Sequence, residues 1–352
     1  MGIEKIDKNL KVETNIEKSD IVFFDIKEEP FSVHGGFYEN GQWVRMPDAV
    51  AMTVNKGVYN LSKCTAGIRV RFTTDSPYVA IHTKQLGEVG MSHMPPSGQY
   101  GFDLYEERDG REIYLKSFIP PLSLDGGYES VIDFPCSGEH TVTINFPLYF
   151  NVHELYIGLS EGCSLRKADD YRIKKPVVFY GSSITQGGCA SRPGNSYQNF
   201  LSRRYGCDFI NLGFSGNAKG EDTMAEYIAS LDMSVFVYDY DHNAPDPEHL
   251  IRTHERFYKT VRKAHPDIPI IFMSRPKLFL TEQDERMRDI VYSNYLSALG
   301  RGENVYHVFG CELMDMTEND GTVDGSHPND LGFFSMAKRL EVEFDKFIEG
   351  LK

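Results

Sequence analysis

The chain has 352 residues, 41% of them hydrophobic and 25% charged, a composition that is typical of folded globular proteins and disfavours disorder. This length exceeds what one ordinary core needs and favours two domains. The formal net charge of -14 disfavours nucleic acid or an anionic membrane surface as a partner; it fits a neutral or cationic small substrate, or else reflects solubility alone.

The first twenty residues mix charges without a continuous apolar run, so we expect no signal peptide. No apolar run in the chain approaches the ~20 residues that a membrane span needs. The six cysteines are scattered and form no C-x-x-C pair, which disfavours a disulfide framework or a zinc ribbon. We therefore expect a cytoplasmic protein with free thiols.

The first half, from about residue 22 to residue 159, has the pattern of short strands separated by turns. Apolar and polar residues alternate in residues 67–72, 78–83 and 140–146, and Asn40-Gly41 is among the dipeptides that mark turns. Almost no helical pattern is present. This half is therefore predicted to be an antiparallel β-sandwich or jelly roll.

The second half, after about residue 174, alternates continuous apolar runs with amphipathic stretches. The runs predict strands over residues 177–180, 209–212, 234–238, 268–273 and 305–309. The amphipathic stretches predict helices over residues 197–205, 247–264, 282–299 and 331–348. Strands buried on both faces that alternate with helices predict an α/β fold with a doubly wound parallel sheet, whose ligands lie at the carboxyl ends of the strands.

The charged stretch near residues 162–176 separates the two patterns. We therefore expect a β-sandwich domain over residues 1–170 and a separate α/β domain over residues 171–352.

Two segments at predicted strand ends carry parts of a nucleophilic hydrolase. Ser183 follows the first strand of the second half, where small neighbours allow a turn that presents its hydroxyl. Asp324 and His327 precede the last helix, and this spacing lets a carboxylate orient an imidazole that takes a proton from serine. Taken alone, Ser183 fits an ordinary helix N-cap equally well, and the Asp-x-x-His segment fits a surface Asx-turn.

Two further segments follow the second and third predicted strands. Gly216 lies in a glycine-containing turn that could bring a backbone N–H to a ligand, and Asn243 could donate its amide to an oxyanion. Asp239, Asp241 and His242 could also be interpreted as metal ligands. They alternate along a segment that we expect to be extended, which would direct them to different faces, so no metal or other cofactor is expected.

Together the four segments resemble the SGNH hydrolases, also called GDSL lipases or esterases, over about residues 174–352. Gly181-Ser182-Ser183 matches the first block of that family, and Asp324-Gly325-Ser326-His327 matches its Asp-x-x-His block. The resemblance implies a flavodoxin-like sheet with Ser183, His327 and Asp324 as the catalytic triad. It also implies an oxyanion hole formed by Ser183, Gly216 and Asn243.

In the first half, Gly101-Phe102-Asp103-Leu104-Tyr105 resembles the Gly-x-Asp-Leu-Tyr signature of a β-sandwich domain found N-terminal to some SGNH hydrolases. The alternative is that Asp103 and Tyr105 only tie a strand end. Two positions depart from the family pattern. Ser182 stands where the first block usually has aspartate, and Asp241-His242-Asn243-Ala244 replaces the usual Gly-x-Asn-Asp.

The expected activity is hydrolysis of a short acyl ester, an acetyl group on an oligosaccharide being the leading substrate. The alternatives are acyl transfer to an acceptor hydroxyl and an inactive carbohydrate-binding protein. Candidate substrate contacts are Arg192, Tyr197, His242 and Arg275. The sequence leaves homo-oligomerisation open.

Overall fold

The computed structural model describes residues 12–87 and 90–351, so most of the segment on which the signal-peptide expectation rests lies outside the described residues. The chain forms two compact units. The sandwich unit comprises the described residues up to Arg45, Lys63–Asp170 and Ser191–Gly194. The parallel-sheet unit comprises Met46–Ser62, Tyr171–Ala190 and the residues from Asn195 onward.

The sandwich unit is built from antiparallel strands in two larger sheets and one hairpin. The strands are β1 (Ile21–Asp25), β2 (Ser32–His34), β3 (Phe37–Glu39), β4 (Gln42–Val44), β5 (Arg69–Thr74), β6 (Tyr78–Leu86), β7 (Phe102–Arg108), β8 (Arg111–Phe118), β9 (Gly127–Asp133), β10 (His140–Asn145), β11 (Asn151–Ser160) and β12 (Leu165–Arg166). One sheet has the order β1-β11-β6-β9, and the other has the order β12-β5-β10-β7-β8 with β2 beside β5. The strands β3 and β4 pair with each other.

The predicted signature residues lie on β7 and alternate between its two faces. Phe102 and Leu104 belong to the apolar core of the sandwich. Successive side chains of a strand point to opposite faces, so Asp103 and Tyr105 face away from that core. The antiparallel strands confirm the fold that the alternating pattern predicts for the first half.

Helices are more frequent in the first half than its sequence indicates. A short helix covers Pro96–Gln99, and two more cover Asp48–Val54 and Lys56–Leu61. The latter two belong to the parallel-sheet unit, and their buried residues Ala51 and Val58 join its core. Helices of two turns or fewer display too little periodicity to be recognised, and packing against a neighbour supplies most of their stability.

The parallel-sheet unit has five strands in the order β14-β13-β15-β16-β17, all parallel. They are β13 (Ile173–Gly181), β14 (Cys207–Gly213), β15 (Val235–Asp239), β16 (Ile270–Met273) and β17 (Val305–Val308). Helices cover Ser183–Gln186, Tyr197–Tyr205, Asp222–Ser230, Pro247–Ala264, Glu282–Gly300 and Asp330–Phe344. This strand order, which places the first strand of the unit between the second and third, confirms the predicted flavodoxin-like fold.

The strands β13, β14 and β15 end in register with one another. Gly181 at the end of β13 pairs with Gly213 of β14 and with Asp239 of β15. The segments that follow these three residues therefore begin side by side at the carboxyl edge of the sheet.

The helix Pro247–Ala264 illustrates how local sequence and core packing combine. Asp246 caps it by accepting a hydrogen bond from the His249 N–H at 2.6 Å, and Pro247 occupies the first turn. One of its buried residues, His254, stacks on Tyr238 of β15 with ring centroids 4.4 Å apart. Among residues 12–87 and 90–351, no helix combines the length and the apolarity that a membrane crossing requires.

Candidate active site

Ser183 opens a four-residue helix directly after β13. Its predecessor Ser182 is the N-cap, and the Ser182 hydroxyl accepts a hydrogen bond from the Ile184 N–H at 3.1 Å. Serine caps helices about as well as aspartate does, so this replacement of the family's aspartate keeps the turn braced. Ser183 is 6% exposed, and its Oγ lies 2.9 Å from His327 Nε2.

His327 is held by Asp324 through both its backbone and its ring. Asp324 Oδ1 accepts hydrogen bonds from the backbone N–H groups of His327 at 2.8 Å and Ser326 at 3.0 Å. Asp324 Oδ2 lies 2.8 Å from His327 Nδ1. Because an ionised carboxylate can only accept, Nδ1 carries the proton and Nε2 faces Ser183 as an acceptor.

The charge of Asp324 is stabilised by the same contacts. Burial opposes its ionisation, but the hydrogen bonds from the His327 N–H and imidazole and from the Ser326 N–H lower the pKa of Asp324 to about 2. The carboxylate is therefore ionised throughout the neutral range and can stabilise an imidazolium that forms on His327.

Gly216 lies in a tight turn after β14. The Phe214 carbonyl closes this turn by accepting hydrogen bonds from the N–H groups of Asn217 at 2.9 Å and Ala218 at 3.2 Å. Gly216 has a φ of +67°, a left-handed conformation that favours glycine. The neighbouring Ser215 N–H donates to Gln186 Oε1 at 3.1 Å, so the turn is also tied to the helix that begins with Ser183.

Asn243 ends a 3-10 helix, Asp241–Asn243, that follows β15. Its Nδ2 donates to the Phe214 carbonyl at 2.9 Å, which leaves a second amide hydrogen for a substrate oxygen. The same carbonyl thus links the turn of Gly216 to Asn243. The structure brings both predicted oxyanion donors to the edge of the sheet where Ser183 lies.

The segment after β15 is helical, and not extended as its sequence led us to expect. Arg275, in the loop after β16, holds it: Nη2 donates to the Asp241 carbonyl at 2.9 Å, and the backbone N–H donates to Asp241 Oδ2 at 3.1 Å. Arg275 Nη1 also donates to Asp284 Oδ1 at 2.5 Å. The predicted substrate contact Arg275 is therefore engaged with carboxylates of its own chain.

The buried carboxylates of this segment are hard to ionise. Burial, with the nearby Asp241 charge, raises the pKa of Asp239 well above its usual range, and Asp239 Oδ2 accepts a hydrogen bond from Thr185 at 2.9 Å. Burial also raises the pKa of Asp241 to about 6, although the Arg275 charge opposes this. The hydrogen bonds from Thr185 and from the Arg275 backbone give both carboxylates a structural role in holding this segment.

His242 lies beside the catalytic candidates. Its Nε2 is 3.3 Å from Ser326 Oγ, and its ring centroid is 6.4 Å from that of His327. Burial, then the charges of Arg275 and His327, lower the pKa of His242 to about 3. His242 is therefore a neutral imidazole at neutral pH.

The other two predicted substrate contacts are in different settings. Arg192 belongs to the sandwich unit, where its Nη1 lies 2.9 Å from Asp103 Oδ2 and its guanidinium lies 3.8 Å from the Tyr114 ring centroid. Tyr197 is fully buried and packs edge-on against Phe179.

One group of metal-capable side chains occurs among residues 12–87 and 90–351, and it belongs to the sandwich unit. It comprises Glu106, Cys136 and His140, with ligand atoms within 4.8 Å of one another. Glu106 already forms hydrogen bonds with His140 at 2.7 Å and with Arg108 at 2.7 Å. A positively charged guanidinium at this position opposes the binding of a cation, so the group is better explained as an ion-pair network.

The signature residue Asp103 is fully buried, and both of its carboxylate oxygens accept hydrogen bonds. Its oxygens accept from Asn145 Nδ2 at 2.8 Å and from the Gly194 N–H at 2.8 Å, in addition to Arg192. This environment supports a structural role for Asp103, which was the alternative interpretation of the motif.

Sequence reasoning did not identify Gln186 or Asn55, both of which contact the region around Gly216. The Asn55 side chain donates to the Asn217 carbonyl at 3.2 Å, across 162 positions of the chain. An asparagine before a short helix is a cap signal, but no sequence pattern connects it with a turn so far away.

The assembled residues have the parts needed for attack on a carbonyl carbon. A serine hydroxyl faces the Nε2 atom of an imidazole, a carboxylate orients that imidazole, and a backbone turn and an amide lie close by to stabilise an oxyanion.

Two family models together match most of the chain. The GDSL-like lipase/acylhydrolase family matches residues 174–344, and the N-terminus of SGNH hydrolase-type esterases matches residues 21–165. A search of curated proteins returned no match.

Among solved structures, a protein from Bacteroides ovatus described as a GDSL-like lipase is 31% identical, with a TM-score of 0.84 over 94% of this chain and 98% of that one. The salicylyl-acyltransferase SsfX3 from a tetracycline biosynthetic pathway is 19% identical, with a TM-score of 0.76 over 94% and 98%. A family two carbohydrate esterase from Cellvibrio japonicus is 12% identical, with a TM-score of 0.62 over 94% and 99%. The last two likenesses show the fold.

Proposed function

The chain belongs to the GDSL-like lipase/acylhydrolase family, and we propose that it hydrolyses short acyl esters through an acyl-enzyme on Ser183. The contact of Ser183 Oγ with His327 Nε2 at 2.9 Å, continued by that of His327 Nδ1 with Asp324 Oδ2 at 2.8 Å, carries this proposal. A serine that only caps a helix has no need of a histidine that is itself oriented by a carboxylate.

In the proposed mechanism, Ser183 Oγ attacks the ester carbonyl while His327 Nε2 takes the hydroxyl proton. The N–H groups of Ser183 and Gly216 and the Asn243 amide stabilise the oxyanion. When the intermediate collapses, the ester C–O bond breaks and His327 returns its proton to the leaving alcohol. A water molecule then attacks the acyl-enzyme, again with His327 as the base, and releases the carboxylic acid and free Ser183.

We propose an acetyl ester of an oligosaccharide as the substrate. The fold shared with a family two carbohydrate esterase supports this choice, as does the β-sandwich that accompanies the hydrolase sequence. The six free cysteines are consistent with the reducing cytoplasm that we propose as its location.

The test is acetate release from a panel of acetylated oligosaccharides, together with turnover of an aryl acetate. Ser183→Ala should lower kcat by at least about 10⁴-fold while the fold is retained. Ser230→Ala is the matched control, because the exposed Ser230 hydroxyl donates only to a helix carbonyl at 2.6 Å. Unchanged aryl acetate turnover in Ser183→Ala would exclude a serine esterase.

The second candidate function is acyl transfer, in which the same acyl-enzyme passes its acyl group to an alcohol. The fold shared with a salicylyl-acyltransferase favours this candidate. Product analysis with and without an acceptor alcohol separates the two. If acylated alcohol forms in preference to free acid at low acceptor concentration, acyl transfer replaces hydrolysis. A protein that no organophosphonate labels at Ser183 would instead be an inactive carbohydrate-binding protein.

A further inference from the structure

Asn55 lies between the two short helices Asp48–Val54 and Lys56–Leu61 and uses both ends of its side-chain amide. Its Oδ1 accepts a hydrogen bond from the Val58 N–H at 2.8 Å and so caps the second helix. Its Nδ2 donates to Glu221 Oε1 at 2.6 Å and to the Asn217 carbonyl at 3.2 Å. One side chain therefore connects the helix to both ends of the segment 217–221.

The turn that contains Gly216 ends where this segment begins. The Asn217 N–H donates a hydrogen bond to the Phe214 carbonyl at 2.9 Å, which closes the turn. A displacement of Asn217 would therefore also move the adjoining Gly216 peptide. Glu221 is in turn the N-cap residue of the helix Asp222–Ser230. Asn55 thus fixes the far end of the turn to an element that itself packs in the core.

The neighbouring Gly57 lies close against the same turn. A Cβ atom at Gly57 would lie 1.9 Å from Asn217 Oδ1. The Asn217 side chain has limited freedom to retreat, because its Nδ2 donates to the Ser215 carbonyl at 2.6 Å. The helix and the turn are therefore packed in direct contact, and the hydrogen bonds of Asn55 are made across that contact.

Oxyanion donors require this kind of support. They act over 2.7–3.1 Å and have to be in place before the charge develops, so a misplacement of about half an ångström weakens them. We propose that Asn55 is a positioning residue that keeps the Gly216 N–H directed at the oxyanion beside Ser183. The inference rests on the proposed esterase function, because that function makes Gly216 an oxyanion donor.

The experiment replaces Asn55 by aspartate. Aspartate caps helices as well as asparagine does, so the cap to Val58 is kept. Both donated hydrogen bonds are lost, and a carboxylate now faces Glu221. We expect kcat for an aryl acetate to fall 10- to 100-fold with KM within about two-fold, because oxyanion donors act mainly in the transition state. Hydrogen exchange of the amides in residues 214–218 should become faster.

A second substitution provides a rescue that a merely structural role would not produce. In Asn55→Asp/Glu221→Gln the donor and the acceptor are exchanged, so the bond between the two side chains can form again. We expect this double variant to regain part of the lost kcat and of the protection from exchange. Asn55→Ser serves if the aspartate variant does not fold, because its hydroxyl can cap the helix but is too short to reach Glu221.

The matched control is Asn304→Asp, since the exposed Asn304 amide donates to the Asp267 carbonyl at 3.0 Å before β17, at the other end of the sheet. Its kcat and exchange rates should equal those of the wild type. A wild-type kcat and wild-type exchange in Asn55→Asp would overturn the inference. If wild-type turnover does not depend on Ser183, the esterase proposal fails separately, and the exchange of residues 214–218 alone decides whether Asn55 holds the turn.

Discussion

Truncation of Asn243 to alanine separates the catalytic from the structural contribution of the oxyanion residues. The Asn243 amide donates to the Phe214 carbonyl at 2.9 Å, but that carbonyl also accepts two backbone N–H groups. Loss of the Asn243 amide therefore leaves the carbonyl with hydrogen-bond donors, so the free energy of unfolding should fall by only about 1 kcal/mol. Loss of one oxyanion donor should lower kcat by about 10²–10³-fold, or roughly 3–4 kcal/mol of activation free energy.

The assay compares kcat and KM for an aryl acetate with the free energy of unfolding from urea titration. Asn304→Ala is the control, because it removes an exposed amide that donates to a single carbonyl. We expect the activation free energy to rise by about three times as much as the free energy of unfolding falls. A kcat for Asn243→Ala within five-fold of the wild type, with Ser183→Ala inactive, would refute the assignment of Asn243 as an oxyanion donor.

Two further predictions concern buried contacts. Burial lowers the pKa of His254 to about 3, below its value in the unfolded chain, so the unfolded state binds the extra proton as the pH falls from about 6.5 toward 3. Because of this residue, the free energy of unfolding should fall by about 1.4 kcal/mol per pH unit in that window. In urea titrations at several pH values, His254→Gln should lack this contribution to the pH dependence. An unchanged pH dependence would contradict a lowered pKa for His254. Gly57→Ala, whose Cβ would lie 1.9 Å from Asn217 Oδ1, should lower kcat about 10-fold, and adding Asn217→Gly should restore it. Full activity of the single variant would show that the turn tolerates displacement.

The sequence predicted elements best where helix-capping or turn residues and the pattern of buried residues indicate the same boundaries. The predicted helices over residues 197–205 and 247–264 coincide with the observed Tyr197–Tyr205 and Pro247–Ala264. Capping or turn residues mark both ends of the first and the start of the second, Asp246 in the latter case. The parallel strands were recognisable because both of their faces are buried. The short helices of the first half were not recognisable, because they are too short for a burial period to appear even where a residue such as Asn55 caps one of them.

In the candidate site, too, some contacts could be predicted from the sequence and others could not. Asp324 and His327 are three positions apart, so their contact follows from a single loop. The proximity of Ser183, Gly216 and Asn243 follows from parallel strands that end in register, which a regular sheet provides. The contacts of His242 and Arg275 depend on side-chain packing between loops and could not be derived from spacing.

The short stretch Ser191–Gly194 has a consequence for how the chain matures during synthesis. It follows the Ser183 helix within a few residues, yet it belongs to the sandwich unit, where Arg192 and the Gly194 N–H contact the fully buried Asp103. Until residue 194 has left the ribosome, that carboxylate would be buried without its cation. The parallel sheet in turn needs Met46–Ser62, which are made long before it. The sandwich unit therefore cannot be completed when its last strand is made, but only after the chain has entered the parallel-sheet unit and returned through Ser191–Gly194.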